Sequence, residues 1–177
     1  TAVSALVLAA ITLSWPASSA LLTFRNGLNG YSGTRSAALM VDECTTDHYV
    51  IAVLGSPLAY GFLAFDALFG AGTGQIPVGS TIDSAVLHLY TADATFSDAE
   101  FSFHQLHTAW STDTADTTEL WPPDGTAEAG THYEETALAT TPRTLGWHEE
   151  FTVSGSAFDA LVQDWSNGAT ANNGLLI

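Results

Sequence analysis

The side chains able to do chemistry are carboxylates, imidazoles and indoles. Nineteen Asp and Glu, six His and five Trp stand against three basic residues, Arg25, Arg35 and Arg143, and there is no Lys. Acidic side chains gather at Asp42, Glu43 and Asp47, and again at Asp113, Asp116 and Glu119. Calcium takes hard oxygen ligands, so the first group is the candidate calcium site. Neither group follows an EF-hand or a glycine-aspartate repeat, and solvated surface charge is the plainer reading of both. A carboxylate pair for glycoside hydrolysis is defined by a separation in space, about 5 Å or 6.5–9.5 Å, which a sequence does not carry. The chain has no G-x-S-x-G elbow, no H-E-x-x-H and no C-x-x-C. Without Lys it has no Walker-A loop and no Schiff-base amine. These features predict a non-catalytic chain.

Two further groups could bind without catalysing. Carbohydrate modules stack sugar rings on exposed aromatics, and Trp110, Trp121, Tyr133 and Trp147 lie in or beside a long irregular stretch, outside the regular apolar pattern. They are the candidate platform. The alternative is that Trp110 and Trp147 pin this stretch to the core. Among the histidines, a hairpin of Ser84–Thr91 with Glu100–His107 would set His88 opposite His104, about 5 Å apart at Cβ. Two imidazoles fall short of the three or four ligands of a zinc site, so surface histidines without metal are the simpler reading.

These groups must be positioned by one core. A chain of 177 residues with 46% apolar content is long enough for one ordinary core and short for two. A net charge of −16 repels nucleic acid and anionic lipid, whose binding rests on clustered Lys and Arg. Polyanions then need a bridging cation, and such an acidic, lysine-free surface resembles adaptation to marine or saline surroundings. The apolar run Ala2–Leu13 is too short to span a bilayer, and the small residues Ser18 and Ala20 suit cleavage before Leu21. Residues 1–20 are therefore expected to be a signal peptide, in a sequence that starts inside its reading frame. The other reading is a buried N-terminal strand or helix. Cys44, the single cysteine, has no internal disulfide partner and reads as a small hydrophobe.

Short β-like runs punctuated by glycine turns dominate: 21–25, 37–41, 49–54, 60–65, 84–91, 100–107 and 149–153. In 84–90 the alternation places Ala85, Leu87 and Leu89 toward the core. Near the end, Phe158, Leu161, Val162 and Trp165 recur at helical spacing. They predict one helix over 156–168, with Ser156 as N-cap and Asn167-Gly168 as its stop. Between Thr108 and Gly146 the pattern is lost, and a connection of that length is usually functional or mobile. After Asn172-Asn173-Gly174, the residues Leu175-Leu176-Ile177 begin a strand that is too short to complete a ladder. The expected fold is all-β, cut short at its last strands.

Three stretches carry a resemblance. Gly61–Tyr90 is similar to a pattern of L-x-F-D followed by I-P-x-G-(s/t)-x-I-x-S-A-x-L-x-L-Y. Phe151–Ile177 resembles a closing V-x-x-W-x-x-G-x-x-N-x-G-L segment, and Leu21–Thr34 resembles an opening seen in some members. The family with these motifs is the DNRLRE domain, an exported bacterial and archaeal module. The resemblance implies a jelly-roll-like antiparallel β-sandwich, found beside enzymes or adhesive repeats, with some relatives classed as carbohydrate-binding. The chain departs from the pattern in lacking the second Trp in register after Trp110 and the strands after N-x-G-L. The resulting expectation is a secreted or cell-surface module for neutral or calcium-bridged polysaccharide. Its rival is a spacer or adhesin block that makes protein contacts.

Overall fold

The computed structural model describes residues 19–40, 44–45, 59–90, 101–110, 128–140 and 150–177. Among the described residues, eight strands and one helix follow in chain order as β1 Thr34–Met40, β2 Cys44–Thr45, β3 Ala59–Phe65, β4 Val86–Tyr90, β5 Ser102–Gln105, β6 Ala139–Thr140, β7 Glu150–Ser154, α1 Ser156–Asn167 and β8 Leu175–Leu176. Six strands form one sheet in the order β2-β1-β3-β8-β5-β6, and β4 pairs with β7 in a second sheet. Every named pairing is antiparallel. Among the described residues the regular structure is thus mostly antiparallel β, with one helix near the end.

The middle of the large sheet is buried on both faces. Leu63 of β3, Phe103 of β5 and Leu175 of β8 face one cluster, where they meet Leu87, Val153 and the helix residues Phe158, Leu161, Val162 and Trp165. Phe62, Ala64 and Leu176 point the other way, into a second cluster with Ala37, Leu106 and Trp110. Strands covered on both sides read as continuous apolar runs. That is why Gly61–Phe65 and Leu175-Leu176 show no alternation. In β4 the alternation is kept, with Leu87 buried and Val86, His88 and Tyr90 exposed, because only one of its faces meets the core.

The helix is where the spacing places it, and its buried stripe is the expected one, with Ser166 added. Its N-cap is Gly155 at φ 114°, not Ser156, and no side chain caps that end. At the other end Gly168 sits at φ 68°, and the N–H groups of Gly168 and Ala169 donate to the carbonyls of Trp165 and Asp164. Residues 79–85 lie strapped along the helix by hydrogen bonds that no motif announces. The N–H of Ala85 donates to Asp159 Oδ1 at 2.7 Å and that of Ile82 to Gln163 Oε1 at 2.8 Å. Ser166 Oγ and Gln163 Nε2 both donate to the Ser80 carbonyl at 3.0 Å.

Two expectations are corrected. Residues 21–25 form no strand: the chain turns at once, with Leu28 N donating to Arg25 O and Gly27 N to Tyr31 O. The hairpin of β4 with β5 does not form, because β4 pairs with β7 and β5 lies between β8 and β6. The closing residues do begin a strand, β8. Leu175 and Leu176 are inserted between β3 and β5 and paired on both sides, and Ile177 exchanges backbone hydrogen bonds with Gly61. The expected strand at 49–54, residues 1–18 of the expected leader and the acidic group Asp113, Asp116 and Glu119 lie outside the described residues.

Candidate functional site

The second cluster lies on the face of the large sheet turned away from the helix, and the polar groups on this face make it the candidate site. At one end β1 brings Arg35 beside Asp66, which follows β3. The guanidinium donates through Nε and Nη2 to the two carboxylate oxygens, a two-pronged pairing that fixes its plane. Its Nη1 donates to the Trp110 carbonyl at 2.9 Å, and its Cζ lies 4.6 Å from the centre of the indole ring. Beneath, Phe62 approaches Trp110 at 5.4 Å between centroids, and the indole N–H donates to the Asn173 carbonyl at 2.9 Å.

Trp110 is therefore not an open platform. It is only 7% exposed, one ring face is taken by the guanidinium, and its N–H is used inside the protein. A stacked sugar needs a free face, so this tryptophan pins the connection that follows β5 to the sheet. Its role follows from Arg35, seventy-five positions away in the chain, and no local pattern links the two.

Tyr31 closes the same end. Its hydroxyl donates to the Asp66 carbonyl at 3.0 Å, and its ring meets Phe24 edge-on at 5.3 Å. Burial pushes the phenol up to about 12, with the Asp66 carboxylate adding to the rise and the Thr34 side chain opposing it. An acid whose pKa is raised by folding favours the protonated native state. Its contribution to stability is whole below the ordinary tyrosine value of 10.0 and is lost as the pH rises through about 12. Urea unfolding from pH 9 to 12 should show this loss in the parent and a shallower one in Tyr31→Phe. Identical slopes would mean that another group is responsible.

At the other end of this face, residues 128–140 run beside β5 as an irregular edge. The N–H groups of His107, Glu134 and Leu138 alternate along it, bonding to the carbonyls of His132, Gln105 and Phe103. Part of the patternless stretch is thus a zipped edge with β6 at its end. Tyr133 is held there by bridges to Leu106 and Ala129, and Gly130 N donates to its carbonyl at 2.7 Å. The phenol ring packs against the second cluster, half-buried, and meets the His104 imidazole edge-on at 5.2 Å. His104 is itself fixed, with Nδ1 2.8 Å from the Glu134 carbonyl and Nε2 2.8 Å from Ser102 Oγ. The Glu134 carboxylate lies 3.6 Å from His107 Nε2. A rigid aromatic ring with carboxylate and imidazole groups around it can stack a planar ligand and hydrogen-bond its rim.

The remaining expectations divide. His88 and His104 are not neighbours: His88 stands opposite Thr152 and pairs with Glu150, whereas His104 stands opposite Leu176. Trp121, Trp147 and the calcium candidates Asp42, Glu43 and Asp47 lie outside the described residues. Among the described residues no group of three or more His, Cys, Asp or Glu is arranged to hold a metal ion. The residues missed by sequence reasoning are Arg35, Asp66 and Glu134. The first two could have been suspected only from the scarcity of arginine. No family model, curated protein or solved structure matches this chain.

Proposed function

We propose that the protein is a non-catalytic, secreted or cell-surface module that binds neutral carbohydrate, with Tyr133 at the centre of its site. The observation that carries this reading is a half-buried phenol ring locked in place by backbone bonds and by the edge of His104, beside the Glu134 carboxylate and the His107 imidazole. Aromatic faces flanked by hydrogen-bonding groups suit sugars, which present C–H faces and hydroxyl rims, and a ring already ordered loses little entropy on binding. The charge of −16 argues for a neutral ligand or one bridged by calcium. The jelly-roll-like sandwich of the DNRLRE resemblance accords with two antiparallel sheets meeting over a shared cluster. Export accords with the apolar leader-like run, and no described helix is long and apolar enough to cross a membrane.

The test is affinity electrophoresis through gels containing laminarin, xylan or galactomannan, run with calcium and with chelator. The parent should be retarded by at least one of them, and Tyr133→Ala should weaken that retardation about tenfold, the equivalent of about 1.4 kcal/mol. Unchanged retardation in the variant would remove Tyr133 from the site. If none of these gels, nor a wider glycan array, retains the parent and the protein instead self-associates, the chain is a structural block.

A further inference from the structure

The outer face of the small sheet carries a second set of aromatic and polar side chains, turned away from the cluster that the two sheets share, whereas Tyr133 lies on the far face of the large sheet. The inner residues Leu87 and Val153 are buried against the helix, and the strand period of two turns Val86, His88 and Tyr90, with Glu150, Thr152 and Ser154, away from the core. The register sets them in three opposed pairs: Val86 with Ser154, His88 with Thr152, and Tyr90 with Glu150. Tyr90 is 67% exposed and Val86 51%. Between them His88 Nδ1 lies 2.6 Å from Glu150 Oε1, with both side chains open to solvent.

Such a strip has a definite chemistry. From Val86 to Tyr90 it spans about 13 Å at the rise of an extended strand, enough for a short stretch of polysaccharide lying along it. The aromatic ring and the isopropyl group at its ends offer apolar surface to sugar C–H faces. The paired imidazole and carboxylate hold one another in place and keep Nε2 and Oε2 for sugar hydroxyls, with the Thr152 and Ser154 hydroxyls alongside. No arginine lies on the strip and the Glu150 carboxylate is near its centre, so the charge excludes anionic chains. The strip's own groups reach sugar hydroxyls directly, so the site as argued calls for no bridging cation.

We infer that the outer face of β4 and β7, built on Tyr90, His88, Glu150 and Thr152, is a second site for neutral polysaccharide. This inference rests on the carbohydrate reading above. The two sites lie on opposite sides of the core cluster that joins the sheets, so one molecule can hold two polysaccharide chains and cross-link them.

The same gels separate the two sites, using Tyr90→Ala, Tyr90→Phe, Tyr133→Ala and the double alanine variant, with melting temperatures as a folding control. Because Tyr90 is exposed, its replacement should leave the melting temperature unchanged. Tyr90→Ala should weaken retardation about tenfold, Tyr90→Phe should keep it, and the double variant should abolish it. The parent should also sediment soluble galactomannan into larger complexes, and either single alanine variant should not. Retention should persist in chelator, and polygalacturonate should not retard the parent.

Retardation lost in Tyr133→Ala but untouched in Tyr90→Ala would overturn this inference and leave the module reading intact. Retardation lost in Tyr90→Ala alone would keep the strip and dismiss Tyr133. Retention of polygalacturonate would overturn the neutral-ligand assignment. Dimers of the free parent that dissociate in Tyr90→Ala would overturn the site as a glycan surface and make it an interface between copies. Failure of every polysaccharide to retard the parent would remove both sites together.

Discussion

Trp165→Ala is expected to destabilise the protein by about 3–5 kcal/mol, the range for deleting a large buried aromatic. The indole is 6% exposed and lies in the cluster where both sheets and the helix meet, among Leu63, Leu87, Phe103, Val153 and Leu175. Its removal leaves a cavity that these neighbours, held by ladders in two sheets, can fill only in part. The helix itself offers no reserve. It has twelve residues, no side-chain cap and no basic residue in its last turn, and helices of that length are marginal on their own. Trp165→Phe should cost much less, since a ring still fills the space and the indole N–H has no hydrogen-bond partner among the described residues. Urea unfolding of the three proteins checks this, and an alanine loss under about 1 kcal/mol would mean that the stripe does not bear on the core.

Gly174→Ala should be nearly as damaging, although it adds a single methyl group. Gly174 has φ +87°, where L-residues are disfavoured, and a Cβ built there would lie 2.2 Å from the Leu63 carbonyl oxygen and 2.9 Å from the Ala64 backbone. The obstacle is backbone at the centre of the large sheet, so nothing nearby can rotate away. Either β8 leaves its place between β3 and β5, or β3 is displaced. The left-handed penalty of about 1–2 kcal/mol joins an overpacking cost of about 1–3 kcal/mol, which places the expected loss at about 2–5 kcal/mol. Gly174 also accepts a hydrogen bond from Leu106 N, and the neighbouring Asn173 carbonyl accepts from Trp110. The variant should therefore loosen the Trp110 anchor as well, seen as a red-shifted tryptophan emission before global unfolding. In contrast Gly168→Ala, with nothing within 4 Å of its Cβ, should cost only the backbone penalty. Equal stability of the Gly174 variant and the parent would show that β8 is not tightly inserted.

Local signals carried the parts of this protein that depend on neighbours in the chain. The helix was legible from Phe158, Leu161, Val162 and Trp165, because a buried stripe imposes a period of 3.6 residues. The inward set of β4 was legible because one of its faces meets solvent, and the Asn167-Gly168 stop because a left-handed C-cap favours glycine. The N-cap was misplaced by one residue, since Gly155 closes that end by backbone conformation and Ser156 offers no side-chain bond to recognise.

Partnerships between distant residues were not legible. Leu175-Leu176 read as the start of a strand, but nothing local says that β3 and β5 pair with it on both sides. Sequence alternation cannot reveal such a strand, since it is buried on both faces. The adjacent runs at 84–91 and 100–107 suggested a hairpin, but β4 found β7, sixty or more positions away, and with it His88 found Glu150 instead of His104. Trp110 qualified as a platform by residue type and became an anchor because Arg35, Phe62 and Asn173 surround it in space. Composition alone determined the acidic, lysine-free surface and the chemistry it excludes. Only the tertiary structure decided which aromatic rings keep a face to solvent, because exposure belongs to the packing of several strands and not to any one of them.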